Sequence, residues 1–158
     1  PEKPEITYDL FARATMVRGN TPAIGGGFDI GLRTNSFKFE IYALGDYYMN
    51  PLGGNGGAAT LEFSVEPGIT FAWKLMQVWR TRTYIELDVG YYMQFAQIPQ
   101  NPGAGIFMAH NGLMLRPKVV TEFQIARHYK MAIGLYYQFP IMPAYDEYRG
   151  LGVMFSVL

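Results

Sequence analysis

The chain has 158 residues, 16% of them charged and 16% aromatic, with 18 glycines, no cysteine and a formal net charge of zero. Charged residues fall well short of the roughly 25% of ordinary soluble domains, and the zero balance gives no electrostatic reason to gather nucleic acid or an anionic surface. The absence of cysteine excludes a disulfide scaffold and a thiolate metal site, and no apolar run reaches the roughly 18 residues of a membrane-crossing helix.

Apolar and polar residues alternate with a period of two along most of the chain, which marks strands with two unlike faces. The opening Pro-Glu-Lys-Pro-Glu reads as a mature or trimmed end, without a signal peptide. The first strand is predicted over 6–17, with Ile6, Tyr8, Leu10, Ala12, Ala14 and Met16 on one face and Thr7, Asp9, Arg13 and Thr15 on the other. A turn over 19–22 leads to the second, 24–33, where Phe28, Ile30 and Leu32 oppose Asp29, Gly31 and Arg33. Thr34-Asn35-Ser36 turns into the third, 37–48, with Phe37, Phe39, Ile41, Ala43 and Tyr47 against Lys38, Glu40, Tyr42 and Asp46. The glycine-rich stretch 50–57 is a loop. The fourth strand, 60–74, sets Leu61, Phe63, Val65, Ile69, Phe71 and Trp73 against Glu62, Ser64, Glu66, Gly68, Thr70 and Lys74.

A turn around Gln77 opens the fifth strand, 82–95, which states the pattern in full: Ile85, Leu87, Val89, Tyr91, Met93 and Phe95 face away from Arg82, Glu86, Asp88, Gly90 and Gln94. After a loop over 97–103 the sixth strand, 107–123, places Arg116, Lys118 and Glu122 on its polar face, and Pro117, which lacks a ladder donor, predicts a bulge or local break. A turn over 126–128, the seventh strand 129–139, a loop over 140–144 and an eighth strand over 147–158 complete the chain. Tyr-Tyr pairs at 47/48, 91/92 and 136/137 recur every 44 to 45 residues, each soon followed by a proline, so a two-strand hairpin is used repeatedly. The whole of 1–158 reads as one domain.

Alternation does not say which face points inward, because a soluble barrel also alternates, and aromatic strands in a soluble sandwich are the competing reading. Three features favour an apolar outside. Eight strands with about five or six large apolar side chains each would overfill an interior that, at eight strands, only just holds side chains. Strand glycines fall mainly on the polar face, at Gly31, Gly68, Gly90, Gly112, Gly134, Gly150 and Gly152, where a narrow lumen of long charged side chains needs room. Aromatics gather at strand ends: Tyr47, Tyr91, Phe95, Tyr137 and Phe139 towards the loops, and Phe37, Phe71, Trp73, Trp79, Tyr84 and Tyr129 towards the tight turns. Two such belts bounding an aliphatic band are what membrane interfaces select. The apolar faces carry essentially no charge until Arg18 and Arg149, both near a loop.

This pattern resembles the eight-stranded outer-membrane barrels of the OmpA and OmpX type, over nearly the whole chain and without a diagnostic motif. The resemblance implies an all-β, eight-stranded antiparallel up-and-down transmembrane β-barrel in a bacterial outer membrane, with the lipid bilayer as its partner and both termini on the periplasmic side. Such barrels usually end in a lipid-facing aromatic used as an assembly signal. Here the end is Phe155-Ser-Val-Leu158, so Leu158 is a departure or the chain is clipped.

The lumen charge network is predicted from Arg13, Arg33, Glu40, Glu62, Glu66, Glu86, Asp88, Arg116, Lys118, Glu122 and Lys130, with Asp88 opposite Arg116, Glu86 opposite Lys118, and Glu122 near Lys130. Mixed and balanced signs point to a plugged interior, since an ion-selective pore tends to show one dominant sign. A structural or scaffold role follows, with docking to other envelope proteins through the barrel wall. The alternatives are a small pore and a soluble ligand-binding barrel. His110 and His128 are the only histidines and form no legible Ser-His-acid set, so neither an enzyme nor a metal site is expected, and no cofactor. Short outer loops argue against an adhesin.

Overall fold

Each strand exposes backbone donors and acceptors along both edges, and closing the sheet on itself leaves none of those edges free. The computed structural model describes residues 3–17, 21–49, 61–97, 106–142 and 149–157. Its strands are β1 (Glu5–Val17), β2 (Thr21–Arg33), β3 (Phe37–Tyr48), β4 (Leu61–Val78), β5 (Thr81–Gln97), β6 (Ile106–Ala126), β7 (Tyr129–Met142) and β8 (Gly150–Val157). They form a closed antiparallel barrel in sequence order, with β8 returning to pair β1 from Leu10 to Met16. The predicted loop at 50–57, with Arg18, Thr60, Glu147 and Leu158, lies outside the described residues.

Side-chain exposure alternates as the period of two requires. In β3, Lys38, Glu40, Tyr42, Leu44, Asp46 and Tyr48 are buried, whereas Ile41 is 53% exposed on the outer face. The outside is therefore the apolar face, and the core is the polar lumen.

Three boundaries differ from expectation. The turn placed at Gln77 lies at Trp79–Arg80, because a bulge between Lys74 and Met76 carries β4 on to Val78. Trp79 has φ 54° at the first central position of this two-residue connection, a place where hairpins favour glycine. The second is at Pro140 and Ile141, which continue β7, Pro140 pairing with Met114, instead of opening a loop. The third is at Thr21 and Pro22, which already belong to β2. Pro117 produces the expected local break on one side only: the β6–β7 ladder skips from Leu115 to Lys118, while the β5–β6 register passes straight through. A bulge instead falls at Ala109, between the pairs Gln94–His110 and Phe95–Met108.

Glycines let large rings lie flat against the inner wall. A Cβ added to Gly68 or Gly90 would meet the Tyr42 ring or its hydroxyl, and one on Gly152 would meet Tyr136. Gly90→Val is expected to cost about 1–3 kcal/mol through overpacking against Tyr42 and Glu66, read as a lower urea midpoint for loss of the heat-modifiable gel form.

Candidate functional site

All eleven predicted lumen charges point inward. Arg13, Glu40, Glu62, Glu66, Glu86, Asp88, Arg116 and Glu122 are buried, and Arg33, Lys118 and Lys130 are half-buried towards the interior. Ions taken so far from water need close partners and filled hydrogen-bond positions.

At the tight-turn end, Glu122 accepts a hydrogen bond from Lys38 at 3.2 Å and lies 3.4 Å from Arg33 and 3.7 Å from Lys130. Arg33 also donates to Glu5 at 2.8 Å. Midway along the lumen, Lys118 bridges Glu86 at 3.3 Å and Asp88 at 3.0 Å. Arg116 donates to both carboxylate oxygens of Glu66, at 2.8 and 2.9 Å, and to Asp88 at 3.0 Å. This forked geometry suits a planar guanidinium, and a lysine would not reproduce it. Further donors complete the acceptors: Tyr42 to Glu66 at 2.5 Å and Thr70 to Asp88 at 2.6 Å. Towards the loop end, Arg13 pairs with Asp46, its Nε lying 2.9 Å from Oδ1, and shares the side-chain oxygen Oε1 of Gln138 with Arg116. Both guanidiniums lie over the Tyr136 ring, Arg13 at 5.3 Å and Arg116 at 5.7 Å from its centre.

The ladder sets the first two predicted pairs directly opposite each other, Asp88 with Arg116 and Glu86 with Lys118. Glu122 stands across from Ala132, two residues along from Lys130.

Among the predicted interface aromatics, Tyr47, Trp73, Tyr91, Tyr129 and Tyr137 are exposed on the outer face, and Trp79 is exposed at its turn. Phe95 stacks on Phe63 at 5.3 Å, and Phe139 packs against Tyr137 at 6.1 Å. Tyr84 is a correction. It is 1% exposed, inside the lumen, with the Lys38 ammonium 4.7 Å above its ring. Its even position, shared with Arg82 and Glu86, turns it inward whatever its preference for an interface.

The sequence reading did not assign interior roles to Tyr48, Tyr92, Tyr136 and Gln138, all buried. The signal was present. Adjacent residues of a strand face opposite ways, so each Tyr-Tyr pair must send one ring in and one out. His110 stands opposite Gln94 in the β5–β6 ladder, and His128 sits in the exposed turn beyond the other end of β6, so the two histidines do not meet.

No protein-family model and no curated protein matches the sequence. Eight chains among solved structures match the fold. One is Neisserial surface protein A (NspA), with a TM-score of 0.74 and 10% identity, covering 99% of this chain and 97% of that one. The fold is that of an eight-stranded transmembrane β-barrel. A further match is a chain described under the de novo design of transmembrane β-barrels, at a TM-score of 0.47 and 10% identity, covering 99% and 95% of the two chains. At such identity the likeness to NspA is one of fold, and the chemistry of the lumen rests on this chain's own residues.

Arg116→Ala is expected to lower stability by about 3–5 kcal/mol, because Glu66 would remain buried without its guanidinium and Asp88 would keep only Lys118. Adding Glu66→Gln should recover part of that loss. Urea unfolding of the single and double variants measures the coupling.

Proposed function

We propose that this chain is an integral outer-membrane barrel whose lumen is a packed plug and whose role is structural, as a scaffold component of the bacterial envelope. The outer face is apolar, with Leu10, Phe28, Ile41, Ile133 and Leu135 all more than half exposed. Water would leave that wall unsatisfied and lipid would cover it. The fold shared with NspA supports the same setting. The wall is also the surface through which another envelope protein would dock.

One observation carries the plug: Arg116, 1% exposed, spans the middle of the lumen from β6 to Glu66 on β4, Asp88 on β5 and Gln138 on β7. The cavity beside it, lined by Tyr42, Asp88, Lys118 and Tyr136 among others, has a volume of about 20 Å³, which is room for about one water molecule. A conducting path needs a continuous wet column, and this arrangement supports none.

The experiment is planar-bilayer conductance of the detergent-refolded protein, with heat-modifiable migration proving that the barrel is folded. Silence is the expected result. Steady openings would overturn the plug and establish a small pore. In the same preparation, Leu135→Arg should cost about 2–4 kcal/mol of stability in lipid vesicles, because it places a charge on the lipid face near mid-strand. If the variant folds into vesicles as stably as the parent, the wall does not face lipid there.

A further inference from the structure

The turn-end half of the lumen is rich in carboxylates. Glu66, Glu86, Asp88 and Glu122 take the interior contacts of 3.4 Å or less made by Arg33, Lys38, Arg116 and Lys118, and Lys130 lies 3.6 Å from Asp9 and 3.7 Å from Glu122. Three more carboxylates, Asp9, Asp29 and Glu40, share this half of the lumen.

These three come from adjacent strands. Asp9 on β1 stands directly opposite Asp29 on β2, and Glu40 on β3 stands opposite Gly31, two residues along from Asp29. A Cβ on Gly31 would strike the Glu40 Cγ, so the Glu40 side chain leans over the glycine towards β1. On the far side of the same glycine is Thr7. One oxygen from each carboxylate lies within 4.8 Å of the others.

Thr7 is 4% exposed, yet its Oγ1 has no hydrogen-bond partner among the described residues. The Asp29 and Glu40 side chains share a hydrogen bond with each other, and among the described residues Asp29 lies within 4.0 Å of no lysine or arginine nitrogen. The neighbouring ammoniums stay at 3.5 Å from Glu40 for Lys38 and 3.6 Å from Asp9 for Lys130, while the hydrogen bond from Lys38 goes to Glu122. Buried oxygens left in this state are costly unless something positive reaches them.

We propose that Asp9, Asp29 and Glu40, with the Thr7 hydroxyl, bind one Ca²⁺ ion inside the turn-end half of the barrel. Every donor is a hard oxygen. Ligands about 2.3–2.6 Å from Ca²⁺ stand up to about 5 Å apart across the ion, whereas Mg²⁺ requires about 2.0–2.1 Å and a near-ideal octahedron. The double charge suits a set of three carboxylates. Thr7 also lines the open groove formed with Glu5, Arg33 and Lys130 at the turn end, which gives the ion a route in from solvent.

The test uses the refolded full chain in zwitterionic micelles, stripped with EDTA and equilibrated with radioactive Ca²⁺. One Ca²⁺ per barrel is expected, together with a higher temperature for loss of the heat-modifiable form. Asp29→Asn should still fold in EDTA, since no cation loses its partner, and should bind Ca²⁺ roughly tenfold or more weakly. Thr7→Val should fold and bind less tightly than the parent, and Glu5→Gln, at the exposed rim, should bind as the parent does. A folded parent that retains no Ca²⁺, or one whose binding Asp29→Asn leaves unchanged, overturns the site. Neither result bears on the plug, which conductance decides separately.

Discussion

The charges buried inside this barrel depend on one another for neutralisation. An eight-stranded barrel holds side chains and little else, so each ionised group must find its counter-charge on a neighbouring or facing strand. Arg116 satisfies the condition most completely: a single guanidinium engages acceptors on three other strands, and two aromatic hydroxyl or ring groups back it. The ion pairs extend from there towards both ends of the lumen, through Lys118 and Lys38 on one side and Gln138 to Arg13 on the other. Because buried ions are strongly penalised when unpaired, the network specifies strand register as much as it adds stability. A slip of one residue would send each of these charges to the outer face.

Shape is matched as closely as charge. The interior tyrosines lie against bare backbone, Tyr42 across Gly68 and Gly90 and Tyr136 across Gly152. Ring and glycine belong to different strands, so each such contact fixes two strands at once. The hydroxyls then finish the polar network: Tyr42 donates to Glu66, and Tyr136 shares a hydrogen bond with Thr15. Rings, hydroxyls and paired charges thus share one inner face.

Much of this was legible in the sequence because a period of two, once the apolar face is placed outside, assigns every residue of a strand to one side. The inward charges from Arg13 to Lys130 follow from that rule, and so does the facing of Asp88 with Arg116 once the β5–β6 register is set. Tyr84 lies inside because parity, and not a ring's preference for the interface, decides its side. The bulges at Leu75 and Ala109 were not legible, because one inserted residue leaves no compositional mark while it reverses the alternation beyond it. The meeting of Asp9, Asp29 and Glu40 was equally hidden. It depends on two registers at once, and on the lean of Glu40 over Gly31, neither of which a single strand's pattern encodes.

The bulge at Leu75 also bears on how the barrel sits. It turns consecutive residues Leu75 and Met76 outward together and carries the wall on to Val78, whereas β3 begins only at Phe37, level with Trp73. The β4–β5 hairpin thus continues past the β2–β3 turn, tied to it by the Lys74 amide donating to the Ser36 carbonyl. Its flank is apolar, so the hydrophobic height of the wall is greater on this side than beside it. A bilayer of uniform thickness covers such a wall by thickening locally or by letting the cylinder lean. Either response keeps the exposed indole of Trp79 at the rim of the wall, where such rings prefer the headgroup level.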